Sequence, residues 1–342
     1  MAPHHPHLFV DISSHGFGHL AQSAPVLNRL GELCPDVRLT LRSGLPLARL
    51  RQRIHVPFEH IAAASDFGYT MIDALTIDPA TTAARYREAH RHFARRVLEE
   101  AALLRKLQAH AVFANVSYLP LAGAARVGIP ALAMCSLNWS DLYVHFFGVD
   151  AIHGVMLAAY RTATFLRTTP GMPMPALDRI ASIGPLATPG RERRGELRAK
   201  VGAGGTARLV MIALGGIPTR LPVEYWPGLP DTHWLVPQAW AVTRADMHAL
   251  EPLDWPFVDL LRSVDAVVTK PGYGTFAEAS CNGTAVLYQR RDDGWPEQDC
   301  LIDWLQTHAH CAEVSATDLQ AGKLGAALDA CLESAVPPAP IF

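Results

Sequence analysis

A glycine-rich turn in the last third of the chain has the residue pattern of an anion-binding site. Residues 265–275 read DAVVTKPGYGT, in which an apolar run of buried-strand type at 266–269 stops at Pro271. The glycines that follow allow positive φ and let backbone amides approach a ligand, and a helix is predicted to begin near Thr275. Because a helix N-terminus favours an anion, the turn predicts a diphosphate site; the alternative is a plain strand-to-helix turn. The predicted contacts are Gly272, Tyr273, Gly274 and Thr275.

Two cations and a glycine pair flank other strand-like runs in the same half. Lys270 and Arg291 could stabilise the charge that develops on a leaving diphosphate, although either could equally be a surface cation. Gly215 and Gly216 follow the apolar run that starts at Arg208. In an open parallel sheet such a loop lies beside the ligand crevice, and the alternative for the glycine pair is a simple turn.

The first half carries a loop of glycines and histidines directly after a predicted strand. Residues 10–19 read VDISSHGFGH, and the glycines permit a sharp turn into a helix. His19 or His15 could take a proton from an acceptor hydroxyl, because imidazole has a reference pKa of roughly 6.5. Asp11 could orient such an imidazole or act as the base itself. The alternative is a structural histidine that donates to a nearby carbonyl.

Two further loops combine aromatic and polar side chains, as sites for sugars and small acceptors do. Ring faces and hydrogen-bonding groups would together hold an acceptor, and the alternative is ordinary anchoring of a loop by a buried aromatic residue. The expected acceptor-side residues are Asp66, Tyr69, Asn138, Trp139 and Asp141.

A metal site is not expected. The histidines at positions 4, 5 and 7 precede the first predicted strand, in an arm outside the predicted fold. The six cysteines are scattered without a C-x-x-C, which argues against a thiolate zinc site and against a disulfide framework.

Apolar runs alternate with helix-like segments in both halves, which predicts parallel sheets. The predicted strands are 8–12, 37–41, 111–115, 131–134, the run from 208, 233–236, 265–270 and 285–289. The clearest predicted helix is 82–108, whose arginines are interspersed with glutamates and are assigned to a solvated face.

A segment rich in proline, glycine and charge at 183–207 is the natural linker. The predicted class is α/β, with two Rossmann-like domains facing a central cleft. The expected boundaries are 1–185 for the first domain, 186–207 for a linker with a short helix, 208–332 for the second domain, which carries the predicted diphosphate turn, and 333–342 for a frayed tail.

Composition bounds the function classes. The 342 residues are 49% hydrophobic and 18% charged with a net charge of −2, which is typical of a globular protein and favours neither nucleic acid nor a membrane surface. The N-terminus lacks a signal-peptide pattern, and no apolar run approaches the roughly 18 residues of a membrane span. A cytoplasmic protein is expected; the sequence does not predict an oligomeric state.

Several motifs resemble those of GT-B-fold glycosyltransferases. More narrowly, they resemble the glycosyltransferase-like N-terminal half of plant L-arabinokinase, and more distantly the lipid II-forming GlcNAc transferase. They are VDISSHGFGHLAQSAPVL at 10–27, LNWSDLY at 137–143, PGMPMP at 170–175, KPGYGTFAEA at 270–279 and RRDDGWPEQ at 290–298. A glycine-rich sugar-kinase loop does not follow, so kinase activity is not expected.

The resemblance implies roles for further residues on the donor side. Glu278 is implied to bind the donor ribose, although Thr275 and Glu278 also have the spacing of a capping box. Glu297 and Gln298 are implied to hold donor sugar hydroxyls, with a polar helix start as the alternative. Base recognition is implied near Phe257 and Val258, ahead of a predicted helix at 259–263.

These observations together predict a glycosyltransferase that moves a sugar from a nucleoside diphosphate sugar, UDP-linked in expectation, to an unidentified acceptor. The reaction is expected to be metal-independent and inverting, without a cofactor. The alternatives are a nucleotide-sugar 2-epimerase-like enzyme and a non-catalytic nucleotide-sugar-binding protein.

Overall fold

The computed structural model of the chain describes residues 5–333, so His4 and residues 334–342 of the predicted tail lie outside it. The chain divides into two compact units. The first consists of Met1–Ile72, Ile77–Leu186 and Trp295–Glu297, and the second of Asp73–Thr76, Ala187–Gly294 and Gln298–Phe342. Two short segments, at 73–76 and 295–297, are therefore grouped with the unit formed by the other half of the sequence.

The first unit is built on a seven-stranded sheet whose strand pairs are all parallel. Its order is β3-β2-β1-β4-β5-β6-β7. The strands are β1 (His7–Ile12), β2 (Arg38–Arg42), β3 (Phe58–Ile61), β4 (Ala111–Asn115), β5 (Ala131–Cys135), β6 (Thr164–Thr168) and β7 (Ile180–Ile183). The helices are α1 (Phe17–Leu33), α2 (Leu47–Arg53), α3 (Pro79–Arg91), α4 (Phe93–Leu107), α5 (Leu119–Val127), α6 (Trp139–Phe147) and α7 (Ala151–Tyr160).

The helix predicted at 82–108 is two helices in the structure. The Asp78 side chain caps α3 by accepting from the Thr81 amide at 2.9 Å, and Pro79 occupies the first turn, where its missing N–H costs nothing. The chain leaves helical geometry at His92, with φ of −120° and ψ of 21°, before α4 begins. The continuous apolar periodicity hid this break, since both helices turn their apolar sides toward the unit's interior.

The prediction that His7 lies in an arm outside the fold is also wrong. His7 is the first residue of β1 and is buried, with Nε2 2.8 Å from the Thr40 hydroxyl and Nδ1 2.8 Å from the Leu107 carbonyl. Hydrogen bonds within the first unit thus satisfy both ring nitrogens of this buried histidine.

The second unit contains a six-stranded parallel sheet of order β10-β9-β8-β11-β12-β13. The strands are β8 (Arg208–Ile212), β9 (Thr232–Val236), β10 (Met247–Ala249), β11 (Ala266–Thr269), β12 (Ala285–Tyr288) and β13 (Cys311–Glu313). The helices are α8 (Arg194–Val201), α9 (Phe257–Ser263), α10 (Tyr273–Asn282), α11 (Glu297–His308, whose first residue is grouped with the first unit), α12 (Ala316–Ala321) and α13 (Gly325–Glu333), with 3-10 turns at Val223–Tyr225, Gln238–Trp240 and Glu251–Leu253.

Both sheets are buried on their two faces by helices, which explains why their strands read as continuous apolar runs. Val10, Leu39, Leu41 and Phe113 lie in one core cluster of the first unit, and Val210, Ile212, Val268 and Leu287 lie in the core of the second. The predicted α/β class with two parallel sheets is confirmed. Among residues 5–333, we find no helix with the length and apolarity needed to cross a membrane.

Candidate functional site

In each unit the predicted site residues lie where the strand order reverses. In the first sheet β1 lies between β2 and β4, and the loops after β1 and β4 carry His15, His19 and residues 115–117. In the second sheet β8 lies between β9 and β11; Gly215 follows β8, and residues 270–272 follow β11. Adjacent loops diverge at such a point in an open parallel sheet and leave a crevice at the carboxyl ends of the strands.

His19 is held in one orientation inside the first unit. It lies on the first turn of α1, is only 7% exposed, and places Nδ1 2.9 Å from Oδ1 of Asn115 at the end of β4. Within residues 5–333, Nε2 has no hydrogen-bond partner. Burial lowers the pKa of His19 from its ordinary value, while the Asn115 hydrogen bond and the Glu297 charge oppose this. A neutral imidazole with an unpaired Nε2 can accept a proton.

His15 is placed differently. Its Nδ1 accepts from the Tyr69 amide at 3.3 Å, so the neutral ring carries its proton on Nε2. The ring stacks on Trp295 with centroids 6.0 Å apart and meets the edge of Trp139 at 5.4 Å. A Cβ at Gly68, whose φ is +57°, would lie 2.6 Å from this ring, so glycine is needed there. The geometry therefore favours His19 over His15 as a proton acceptor.

Asp11 does not back an imidazole in the manner predicted. Its Oδ2 accepts from Arg42 Nε at 2.6 Å and its Oδ1 from the Ser65 hydroxyl at 2.7 Å. The same guanidinium donates to both oxygens of Glu100 at 2.7 and 2.8 Å. All three charged side chains are buried, so Asp11 belongs to an internal ion triad. The residue that contacts His19 Nδ1 is instead Asn115.

Asp66 and Trp139 pack beneath the loop after β1 that carries His15. Trp139 is fully buried and its indole N–H donates to Asp66 Oδ2 at 2.7 Å. The Ser13 and Ser117 hydroxyls donate to the same carboxylate at 2.9 and 3.0 Å. Burial raises the pKa of Asp66 to about 6, with a smaller contribution from the Asp11 charge, against the three hydrogen bonds that lower it. These two predicted acceptor-side residues thus tie the loops after β1, β3, β4 and β5 together.

Tyr69 lies in an aromatic cluster beside His15. Its ring contacts those of Trp139, Phe146 and Trp295 at centroid distances of 5.9, 5.5 and 5.3 Å. The side chain is buried, and its hydroxyl has no hydrogen-bond partner in the part of the chain that the structure describes. A buried hydroxyl without a partner costs free energy, which makes this atom a candidate contact for a polar ligand.

Asn138 and Asp141 are occupied in capping α6. The Asn138 Oδ1 accepts from the Asp141 amide at 2.8 Å, and its Nδ2 donates to Asp141 Oδ2 at 3.0 Å. This reciprocal pattern satisfies amides at the helix start. Burial raises the pKa of Asp141. These contacts give both residues a structural role, and their acceptor role stays a prediction.

The glycine turn of the second unit opens a helix two residues earlier than predicted. α10 begins at Tyr273 with Gly272 as its N-cap, so Thr275 is the third helical residue. Lys270 lies beside the turn, since a Cβ at Gly272 would be 3.8 Å from its Nζ and a Cβ at Gly215 would be 3.7 Å from its Cε. Gly215 has φ of +94° and both it and Gly216 are exposed. Helix amides and an ammonium group therefore converge at the β8–β11 switch point.

Glu278 is inside α10 and 2% exposed. A capping box requires Thr275 to be the N-cap residue, and the N-cap is Gly272, so the capping box considered for Thr275 and Glu278 is wrong.

Arg291 and Gln298 hold a loop of the second unit in place. Arg291 is buried and pairs with Asp293, Nε lying 3.0 Å from Oδ1 and Nη2 contacting Oδ2. The Gln298 Oε1 accepts from the Arg291 amide at 2.9 Å, and its Nε2 donates to the Arg291 carbonyl at 3.2 Å. The Asp293 carboxylate thus offsets the positive charge of Arg291, which was predicted to contact the diphosphate. The oxygen and the nitrogen of the Gln298 side-chain amide both form hydrogen bonds within the protein.

Glu297 is grouped with the first unit and contacts the surroundings of His19. Its Oε1 accepts from the Ser136 hydroxyl at 2.5 Å and its Oε2 from the Trp295 indole N–H at 3.2 Å. Both carboxylate oxygens of Glu297 therefore have partners within the protein, and its donor-sugar role stays a prediction. Asn115 is the last residue of β4 and Ser136 directly follows β5; their position at the ends of predicted strands was the only sequence signal for them.

Phe257 and Val258 were predicted to precede a helix, but they are the first two residues of α9. A Cβ at Gly190 would lie 2.0 Å from the Val258 carbonyl oxygen, so the 187–191 segment covers that carbonyl. The Val258 carbonyl thus faces the protein, and base recognition near these residues stays a prediction.

Comparison with known proteins agrees with this architecture. The glycosyltransferase of kitacinnamycin superposes with a TM-score of 0.63 at 15% identity, over 97% of this chain and 92% of its own. The calicheamicin glycosyltransferase CalG4 gives 0.63 at 14%, over 97% and 91%. UGT2 of Phytolacca americana, solved with UDP-2-fluoro-glucose and pterostilbene, gives 0.60 at 12%, over 96% and 90%.

The chain has the GT-B fold. At these identities the superpositions establish the fold and leave the reaction of this chain to its own residues. The GT-B prediction made from the motifs is confirmed.

One curated protein sequence is similar along most of the chain. L-arabinokinase of Arabidopsis thaliana is 25% identical in an alignment of 331 positions, which covers 91% of this chain and 31% of that protein. The GT-B chain therefore spans about a third of the length of this relative. No protein-family model matches this chain.

Proposed function

We propose that the chain is a glycosyltransferase that moves a sugar from a nucleoside diphosphate sugar to a hydroxyl-bearing acceptor. In this proposal the donor diphosphate binds the second unit at the start of α10, and the acceptor binds the first unit beside His19. The observation that carries the proposal is the convergence of the α10 amides, Gly215 and Lys270 at a topological switch point.

The chemical step is a direct displacement at the anomeric carbon. An acceptor oxygen forms the new bond to that carbon while its proton moves to His19 Nε2. The bond from the anomeric carbon to the diphosphate oxygen breaks, and its electron pair leaves with the nucleoside diphosphate. A single displacement inverts the configuration at the anomeric carbon.

Charge stabilisation in this step comes from the protein. The leaving diphosphate gains negative charge, and preoriented helix amides with an ammonium group can stabilise it without a divalent ion. Glu278, buried near the start of α10, is proposed to accept from the ribose hydroxyls. The Tyr69 hydroxyl is proposed to contact the acceptor.

Donor binding is tested by calorimetry with UDP, dTDP, GDP and ADP on the full chain. The Lys270→Ala variant is expected to bind the preferred diphosphate about 10- to 100-fold more weakly, since a charge-assisted hydrogen bond contributes roughly 1.5–3 kcal/mol. Lys323→Ala, which removes an exposed cation of the same unit, is the matched control. Equal affinities of the two variants would contradict the assigned diphosphate site.

Turnover is tested by measuring nucleoside diphosphate release from UDP- and dTDP-sugars over a panel of hydroxyl acceptors, with and without EDTA. Acceptor-dependent release that EDTA does not reduce supports the proposal, as does a product of inverted anomeric configuration. Epimerised sugar without acceptor would identify an epimerase. Saturable donor binding without release across the panel would identify a binding protein.

A further inference from the structure

A continuous chain of hydrogen bonds joins His19 to Glu297 inside the first unit. His19 Nδ1 lies 2.9 Å from Asn115 Oδ1, and Asn115 Nδ2 donates to Gln22 Oε1 at 3.3 Å. Gln22 Nε2 donates to Ser136 Oγ at 3.0 Å, and the Ser136 hydroxyl donates to Glu297 Oε1 at 2.5 Å. These five side chains are at most 7% exposed, so water does not compete for the bonds.

Only one of the five side chains can fix the donor-to-acceptor direction of this series of hydrogen bonds. A serine hydroxyl rotates, the amides of asparagine and glutamine can turn over, and a neutral histidine can carry its proton on either nitrogen. An ionised carboxylate, in contrast, accepts and never donates. Ser136 must therefore donate to Glu297 and accept from Gln22. Each earlier member is then fixed in turn, and His19 must carry its proton on Nδ1.

The ends of the chain are held as well. His19 and Gln22 are three residues apart on α1 and so share a helix face. The second carboxylate oxygen of Glu297 accepts from the Trp295 indole at 3.2 Å, which keeps the carboxylate in place. The Cys135 sulfur lies 3.7 Å from His19 Nδ1, and a thiol offers only a weak competing hydrogen bond.

We propose that Glu297 is a positioning residue for His19. Through Ser136, Gln22 and Asn115 it selects the Nδ1–H tautomer and thereby leaves Nε2 as an unprotonated acceptor. The significance for catalysis rests on the proposed function, because an acceptor hydroxyl needs that nitrogen without a proton. The tautomer itself is a property of the free protein.

The test reads the tautomer directly by nitrogen NMR of the full chain labelled with ¹⁵N-histidine. The His19 signals are assigned by their loss in His19→Gln. The wild-type protein is expected to show a protonated Nδ1 and an unprotonated Nε2. The opposite pattern in the wild type overturns the proposal without any variant.

Glu297→Gln tests the origin of the preference. A glutamine can donate to Ser136, which allows the whole chain to reverse, so the Nδ1 signal is expected to shift toward the unprotonated position. Ser136→Ala cuts the chain in the middle and is expected to mix the two tautomers. If Glu297→Gln does not fold, Ser136→Ala decides; retention of the wild-type tautomer in a folded variant overturns the proposal.

Asp299→Asn is the matched control, because it also removes a carboxylate from the first turn of α11. Asp299 is exposed and pairs with Arg290, outside the chain to His19. The Asp299→Asn variant should leave the His19 signals unchanged. A shift similar to that of Glu297→Gln would contradict the proposal, because it would indicate a general effect of charge at the start of α11.

The kinetic readout separates this proposal from the proposed function. Where turnover is found, Glu297→Gln is expected to lower kcat at least about tenfold while the donor KM changes less than about twofold, as for a wrong tautomer of a general base. If no transfer is found in the wild type, the proposed function fails and the NMR result still stands by itself. An unchanged kcat with a reversed tautomer would refute the catalytic significance.

Discussion

Replacing Arg42 by methionine should destabilise the first unit strongly. The guanidinium makes three charge-assisted hydrogen bonds, one to Asp11 and two to Glu100, at 2.6 to 2.8 Å. The side chains of the triad are 8%, 2% and 4% exposed in the order Arg42, Asp11, Glu100. Methionine keeps much of the volume and removes the cation, so two carboxylates remain buried without their partner.

The magnitude follows from the loss of a buried partner. Removing one member of a buried ion pair typically costs about 3–5 kcal/mol, because the remaining charge is left uncompensated. Burial already raises the pKa of Glu100, and the Arg42 charge opposes this, so loss of the cation raises the pKa further. The cost should therefore be smaller at acid pH, where protonation of Glu100 relieves it.

The assay is hydrogen exchange of peptides that cover β1 and β2, under conditions where closing is faster than exchange. A loss of about 3–5 kcal/mol corresponds to roughly 10²- to 10⁴-fold faster exchange of the protected amides. The control is Arg95→Met, which breaks an exposed pair with Glu99 on α4 and should cost at most about 1 kcal/mol. Equal exchange in the two variants would refute the assignment of Asp11 to a structural triad.

Two pH-dependent predictions concern the site itself. Asp66 has a folded pKa of about 6, above its unfolded value of 3.8, so its contribution is fully present below pH 3.8 and is lost as pH rises through 6. Relative to Asp66→Asn, the wild type should therefore lose roughly 3 kcal/mol between pH 4 and 7 in urea unfolding, and a constant difference would contradict the raised pKa. His19 must be neutral to accept a proton and burial lowers its pKa, so the acid limb of kcat/KM should lie below pH 6.5. A limb above pH 6.5 would indicate a different base.

Much of the fold could be predicted because buried parallel strands have a local signature. The apolar runs at 8–12, 111–115 and 266–269 coincide with strands in the structure. The strands β3, β6, β7, β10 and β13 were missed, since each includes polar side chains and β10 and β13 have only three residues. The break at His92 was missed because a stripe of apolar residues does not reveal where the backbone leaves the helix.

The site was predicted less completely because its contacts are distant in sequence. Loops after strands could be recognised locally, as for His19 and Lys270. The partner of a side chain could not: Asp11 pairs with Arg42, 31 positions away, and Glu297 reaches Ser136 across 161 positions. Asp11 was predicted from its position before the histidine loop and Glu297 from the family resemblance, and only packing decided what each one contacts.

The nature of the group behind His19 constrains any reaction at Nε2. Asn115 is neutral, so it orients the imidazole but cannot offset the positive charge that forms when Nε2 takes a proton. The carboxylate that ends the hydrogen-bond chain is separated from the ring by three side chains, and the site is buried, so an imidazolium there is costly. Early, complete deprotonation of an acceptor is therefore disfavoured. Transfer at such a site is expected to couple proton movement to departure of the diphosphate, which ties the rate to the charge stabilisation that Lys270 and the α10 amides are proposed to supply.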